Sequence, residues 1–131
     1  MFRFPLSVES GIIVLDVRFT GKNRRMISVR MALDTGANMT TIPFEMGILL
    51  GSKPDKSMTR AEMLTASGIE YAPVVSIPRV KLFNFELKDV DVVCHTLPPR
   101  SVAVGLLGLD ILSRFNIHLD FLKDFLEVSD Q

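Results

Sequence analysis

The sequence predicts an all-β fold, a closed or nearly closed barrel with one or two short helices. Many short apolar runs alternate with polar residues, as strands with one buried face do. Turn-forming residues separate these runs, and only two segments carry the signals of a helix. Apolar residues make up 47% of the 131 residues, which is enough for the core of one domain over residues 1–131.

The first half of the chain predicts a β-hairpin followed by a short helix. Residues 12–19 and 26–33 alternate in polarity around a polar turn at 21–23, so we expect them to pair. A short extended run at 40–42 follows. Pro43 then suits the first position of a helix and Gly51 its end, and residues 51–56 read as a polar loop.

The second half predicts mostly strands. Small residues at 65–68 indicate the tip of a second hairpin within residues 58–71. Further strands are expected at 74–83, 85–93, 102–107 (buried on both faces), 117–121 and 125–128. Residues 98–101 form a rigid loop, and residues 110–115 are expected to make one or two helical turns with Asp110 as the cap.

Charge and composition exclude several classes of function. The formal net charge is zero, from 15 basic and 15 acidic residues, so no nucleic-acid partner is expected. The longest apolar run, residues 102–109, is too short to cross a membrane. A single cysteine, Cys94, excludes an intrachain disulfide, and the N-terminus lacks the features of a signal peptide. We therefore expect a soluble, cytoplasmic protein.

The candidate catalytic residues lie in one motif, Leu33-Asp34-Thr35-Gly36-Ala37. It places a carboxylate at the end of an apolar strand, where apolar neighbours limit its solvation. Gly36 allows a sharp turn, Thr35 offers a hydroxyl that can lock the loop, and the small Ala37 leaves space beside the acid. Asp and Gly are also common in ordinary turns, so the three residues 34–36 alone leave that interpretation open.

The order of motifs resembles the retroviral-type (retropepsin-like) aspartic proteases, including bacterial and archaeal-type members. The Asp34 motif is followed by a Thr-rich strand and a helix. In that family two apolar residues and a glycine then lie in a strand beneath the active-site loop, and Leu106, Leu107 and Gly108 fit this pattern. Between the two motifs, Ala66, Ser67, Gly68 and Ile69 fit the flap that closes over substrate. The resemblance extends over about residues 12–121.

The resemblance implies the fold and the function. We expect a retropepsin-like barrel with one lobe per chain, in which Asp34 is catalytic and Thr35, Gly36 and Ala37 support its loop. The implied activity is that of an aspartic endopeptidase acting on extended peptides, with no metal and no other cofactor. The chain departs from the family pattern at Asn38, in having only one flap glycine, and at Leu109, where viral members often have Arg.

The number of carboxylates predicts a homodimer. Peptide hydrolysis by this chemistry needs one ionised and one protonated acid, and the chain has a single Asp-Thr-Gly, so the second Asp34 must come from another copy. Because family members commonly pair their termini across the two-fold axis, we expect residues 2–6 or 125–128 to do so. The alternative is that Phe2 and Phe4 cover the core of their own chain.

Other interpretations of the sequence have less support. The same fold can serve as a catalytically inactive dimeric module that binds peptides or assembles with partners, although such a module has no need of two facing carboxylates. Cys94, His95 and His118 are too few and too scattered for a metal site. Adjacent Cys94 and His95 would point to opposite faces of a strand, so a catalytic pair is not expected.

Overall fold

The computed structural model describes residues 1–65, 67–99 and 101–130 and consists mainly of β-strands. The strands are β1 Phe2–Pro5, β2 Ser7–Glu9, β3 Ile12–Thr20, β4 Met26–Leu33, β5 Thr41–Ile42, β6 Arg60–Thr65, β7 Gly68–Leu82, β8 Phe85–Cys94, β9 Gly105–Leu107, β10 Asn116–Asp120 and β11 Phe125–Ser129. The helices are α1 Phe44–Leu49 and α2 Leu109–Leu112, with a 3-10 turn at Pro54–Lys56.

Six of the strands form a closed barrel. The main sheet has the order β2-β3-β4-β9-β5-β8-β7-β6, and an additional pairing of β3 with β7 joins β3, β4, β9, β5, β8 and β7 into a ring. The barrel encloses the apolar core, whose fully buried side chains include Phe19, Met31, Ile42, Ile77 and Leu107. These observations confirm the all-β fold class.

The two longest hairpins follow from local sequence. β3 and β4 pair in antiparallel register from Val14↔Ala32 to Thr20↔Met26, as their alternating polarity predicts. Between β7 and β8 the chain reverses at Phe83 and Asn84, whose φ angles of 55° and 68° place both in the left-handed region used by two-residue hairpin turns.

Strand β7 is longer than predicted, because the strand expected at 74–83 and the second arm of the 58–71 hairpin are one continuous element. Pro73 and Pro78 do not interrupt it. Pro78 stands between the pairs Ile77↔Val90 and Arg79↔Lys88, opposite Asp89, which has a φ of 51°. The ladder is therefore already irregular at the position where proline lacks an N–H group.

The structure corrects three further predictions. The strand expected at 102–107 covers only Gly105–Leu107, since Val104 is exposed and the chain enters the sheet between β4 and β5 only from Gly105. Helix α2 begins at Leu109 with Gly108 as its N-cap, so Asp110 lies inside the helix. The predicted loop at 51–56 contains the 3-10 turn, in which Pro54 is buried.

The chain termini pair with each other within one chain. β1 and β10 both pair with β11 in a three-stranded sheet, with registers Phe4↔Leu126 and Leu119↔Leu126. Phe4 packs against the core, and the ring of Phe2 lies 5.5 Å from that of Phe85. The terminal strands thus pair within one chain, and Phe4 covers the core of its own chain. This is the arrangement that the sequence analysis gave as the alternative to pairing across a two-fold axis. None of the helices in the described ranges is both long and apolar enough to span a membrane.

Candidate active site

The loop that carries Asp34 begins where β4 leaves the barrel. β4 and β9 run parallel, with Ala32 beside Leu106 and Leu33 beside Leu107. The backbone N–H of Asp34 donates a 3.0 Å hydrogen bond to the carbonyl of Leu107. Strand β9 therefore holds the first residue of the loop in place, and Leu106 and Leu107 lie where the sequence analysis put the underlying strand.

The Asp34 side chain is half-buried and held on one side only. The Gly36 N–H donates to Asp34 Oδ1 at 2.9 Å, and the Ala37 N–H donates to the Asp34 carbonyl at 3.2 Å. A Cβ at Gly36 would lie only 3.2 Å from Oδ1, so a side chain there would crowd the carboxylate. Within the described residues Oδ2 accepts no hydrogen bond, which leaves it available to another group.

Gly108 allows α2 to pack directly against the active-site loop. A Cβ at this position would lie 2.7 Å from the Met39 carbonyl carbon and 2.9 Å from the Ala37 oxygen. The adjoining helix start binds the same loop, because the Leu109 N–H donates to the Ala37 carbonyl at 2.8 Å and the Asp110 N–H to that of Asn38 at 3.2 Å. Glycine is therefore required at position 108 because any side chain there would collide with the backbone of the active-site loop.

A partly buried polar network, absent from the sequence-based prediction, joins the active-site loop to α2. Asp110 Oδ1 accepts hydrogen bonds from the Thr40 N–H at 3.0 Å, the Thr40 hydroxyl at 2.8 Å and the Ile111 N–H at 2.9 Å. The Thr40 Oγ1 in turn accepts from the Gly108 N–H at 3.2 Å. Asp110 thus fixes the loop after Asp34 instead of capping its helix. No signal in the sequence around Asp110 indicated this role.

Thr35 does not lock the loop within one chain. Its side chain is exposed, and its hydroxyl makes no hydrogen bond to any residue that the structure describes. It instead lines a surface groove next to Leu33 and α2. The locking function expected of Thr35 is carried inside the chain by Thr40.

The predicted flap is the β6–β7 hairpin. Leu64 pairs with Ile69 and Thr65 with Gly68. Ser67, Gly68 and Ile69 are exposed, and Gly68 has a φ of 119°, a conformation that favours glycine. Ala66 lies outside the described residues. At its base the hairpin packs through Ala61 and Met63 against a small cluster that also contacts Met39, which is in the loop after Asp34.

The remaining nucleophile and histidines are separate from this site. Burial raises the pKa of the Cys94 thiol to about 11, so it remains protonated and weakly nucleophilic at neutral pH. The His118 ring lies 5.9 Å from that of Phe125, in an edge contact. In the described part of the chain no three His, Cys, Asp or Glu side chains come together in a way that could hold a metal ion.

Comparisons with known proteins agree with this geometry. The family model described as "gag-polyprotein putative aspartyl protease" matches residues 17–114, a segment that contains both the Asp34 loop and Gly108. The chain is similar in structure to a retropepsin-like aspartic protease from Rickettsia conorii, with a TM-score of 0.70 and 23% identity over 95% of this chain and 88% of that one. The comparison with curated proteins gave no match. Since the family model covers most of the chain, this protein belongs to the gag-polyprotein putative aspartyl protease family and has the retropepsin-like fold.

Proposed function

We propose that this protein is an aspartic endopeptidase that hydrolyses peptide bonds as a homodimer. The observation that carries the proposal is the Asp34 carboxylate, which stands at a strand end with one oxygen held by the Gly36 N–H and the other without a partner in the described chain. One carboxylate cannot both accept a proton from water and donate one to the scissile carbonyl in the same step. The site is therefore half of a catalytic pair.

In the dimer, Asp34 and the partner's Asp34 face each other across the two-fold axis. Carboxylates about 3 Å apart share one proton, a behaviour established for aspartic proteases as a class. The ionised acid removes a proton from the attacking water while the protonated acid gives its proton to the carbonyl oxygen. The resulting tetrahedral species collapses when the peptide nitrogen is protonated and leaves. The Gly36 N–H and the β9 contact hold each carboxylate in orientation, so little reorganisation is needed.

The β6–β7 hairpin supports an extended peptide as substrate. It is an exposed two-stranded ribbon whose base packs beside the active-site loop, and its apolar residues Leu64 and Ile69 are open to solvent. Two such hairpins, one from each copy, would cover a cleft above the Asp34 pair. An extended chain there can bond to hairpin backbone groups while its side chains enter apolar pockets.

The test is cleavage of extended peptides at mildly acidic pH by the wild type and by Asp34→Asn. The amide keeps the size of the side chain but cannot act as the base, so we expect cleavage to fall by at least about 10²–10⁴-fold. Asp91→Asn is the matched control, because Asp91 is an exposed residue of β8 outside the site. Sedimentation of each variant shows whether the dimer persists.

Each outcome decides between the two interpretations. Loss of cleavage by Asp34→Asn, with the dimer intact and the Asp91→Asn variant active, supports the endopeptidase. Equal cleavage by wild type and Asp34→Asn removes Asp34 from the mechanism. Tight peptide binding by a wild type that cleaves none of a diverse peptide library would favour the inactive peptide-binding module.

A further inference from the structure

A groove of about 550 Å³ on the barrel surface concentrates positive charge. We call it the basic groove, because five basic side chains line it: Arg18, Lys22, Arg24, Arg79 and Lys81. All five are exposed, and Glu86 is the one acid among the described residues of its lining. Five of the chain's 15 basic residues thus meet at one place, although the net charge of the chain is zero.

The basic groove is separate from the active-site loop. Its lining includes Met26, the first residue of β4, whereas Asp34 follows Leu33 at the other end of that strand. An extended strand rises about 3.3 Å per residue, so the groove and Asp34 are roughly 25 Å apart. The groove is therefore a surface that the proposed peptide hydrolysis does not use.

The sheet holds like charges together at the basic groove. Arg18 of β3 stands directly opposite Lys81 of β7, and Arg79 of β7 directly opposite Lys88 of β8. Like charges in such positions destabilise a sheet. Glu86 stands opposite Lys81 on β8, but its carboxylate forms an ion pair with Arg79 at 3.2 Å. Arg18 and Lys81 form no ion pair in the described ranges, and a local cost of this kind is expected where a surface serves binding.

The turn before β4 fixes the backbone of two of the five cations. The Lys22 N–H donates to the Leu50 carbonyl at 2.9 Å, and the Asn23 side-chain amide donates to the Leu49 carbonyl at 2.9 Å. Arg24 has a φ of 67°, in the left-handed region where Gly or Asn is less strained. The backbone that carries Lys22 and Arg24 is thus anchored to the end of α1, so a partner need not order it on binding.

The positive surface continues beyond the basic groove. Lys22 also lines a neighbouring hollow of about 390 Å³, together with Lys53 and Lys56. Both of these lysines are exposed, and no acidic side chain is among the described residues that line this hollow. An elongated array of cations suits a chain of negative charges better than a single small anion.

We propose that the basic groove binds an acidic segment of another protein, one rich in Asp and Glu. The cations attract the carboxylates and steer their approach. A peptide backbone also supplies N–H donors for Glu86, which a phosphodiester backbone lacks. No aromatic side chain lines either hollow in the part of the chain that is described, so nucleic-acid bases would find no stacking surface. The observations therefore favour a polypeptide over a nucleic acid.

The test is fluorescence anisotropy with a labelled peptide of alternating Glu and Ser, about ten residues long, which spans about 33 Å when extended. The full chain carrying Asp34→Asn is the parent protein, so the peptide is not cleaved and the result does not depend on the proposed chemistry. We expect saturable binding that weakens as salt rises from about 0.05 to 0.5 M, because salt screens exposed charges. A peptide with Gln in place of every Glu should not bind.

Two substitutions remove charge from the groove without a cost in stability. Arg18→Glu replaces the like-charge pair with an acid opposite Lys81, so the unfolding midpoint should stay or rise while the dissociation constant rises at least about tenfold. Arg24→Asn keeps a residue that tolerates the left-handed conformation, and its dissociation constant should rise at least about threefold. Lys123→Glu, at an exposed turn position outside the groove, makes the same change of charge as Arg18→Glu and should leave the dissociation constant unchanged.

Each result decides for or against the proposal. Weaker binding by both groove variants, with Lys123→Glu unchanged and unfolding midpoints no lower than the parent's, supports it. If Arg18→Glu does not fold, the result for Arg24→Asn, which lies outside the sheet, decides. No binding by the parent, equal binding by the groove variants, or equal binding of the Gln peptide overturns the proposal.

Two other occupants would also overturn it. Tighter binding of a single-stranded oligonucleotide with the same number of charges as the peptide would assign the groove to nucleic acid. Sedimentation in which both groove variants lose a dimer that the parent forms would assign it to a second copy of this chain.

Discussion

Asp110 holds the active-site loop through Thr40, and replacing it by alanine measures what that contact contributes. The carboxylate accepts hydrogen bonds from both the N–H and the hydroxyl of Thr40, which is fully buried. Alanine would leave these two donors without a partner, while the Ile111 N–H keeps its 3.2 Å bond to the Gly108 carbonyl. Each buried orphan donor costs about 1–3 kcal/mol, so the free energy of unfolding should fall by about 2–6 kcal/mol.

Urea unfolding at one fixed protein concentration measures this loss, because dimerisation makes stability depend on concentration. Asp110→Asn retains an acceptor oxygen and should lose only about 1–2 kcal/mol. Asp91→Ala, at an exposed position, should change stability by no more than about 0.5 kcal/mol. Cleavage should fall in Asp110→Ala even where the protein is folded, since the loop after Asp34 loses its anchor. A loss below about 1 kcal/mol, equal for the alanine and asparagine variants, would refute this account of the network.

Two further predictions concern pH and the hairpin. Burial raises the pKa of Cys94 from 9.0 to about 11, so above pH 9 the unfolded chain gives up this proton before the folded chain does. The free energy of unfolding should therefore fall by about 2–3 kcal/mol between pH 9 and 11. Urea unfolding of the wild type and of Cys94→Ala over this pH range measures the effect, and the variant should lack this part of the fall. Identical pH profiles for the two proteins would contradict the prediction. Leu64 on the hairpin is 86% exposed, so Leu64→Ser should raise KM for an extended peptide about tenfold without lowering the unfolding midpoint. Leu122→Ser, at a 97% exposed turn position, is the control and should change neither KM nor the unfolding midpoint. Equal KM values for the wild type, Leu64→Ser and Leu122→Ser would remove the hairpin from substrate binding.

Local patterns predicted the parts of the fold that depend on neighbouring residues. Alternation of polarity and one turn signal were enough for the β3–β4 hairpin, and the family pattern of two apolar residues and a glycine located β9. Apolar composition alone misled at 102–107, because it does not show that Val104 faces solvent. The boundary expected between the 58–71 hairpin and the 74–83 strand was also wrong, because pairing continues through Arg60↔Pro73 and Val74↔Val93.

The supporting network of the candidate site was beyond prediction because it joins distant residues. Thr40 and Asp110 are 70 positions apart, and nothing in either local sequence indicates that they meet. The Asp34 motif was recognisable because its residues are consecutive. The exposed Thr35 hydroxyl could not be foreseen either, since its environment depends on where α2 and β10 pack.

The length of β7 has a mechanical consequence. Its first part, to Pro73, is the inner arm of the exposed hairpin, and its second part forms a barrel wall that bonds to β8 and β3. At the junction the Val74 N–H donates to the Thr59 carbonyl at 2.9 Å, and the Ser57 hydroxyl donates to the Val74 carbonyl at 2.6 Å. The hairpin is therefore fixed to the barrel wall at Val74 and projects from it as one continuous ribbon. In the proposed mechanism, substrate would enter when this continuous ribbon bends beyond Val74, so stiffness near Pro73 would set how wide the entrance opens.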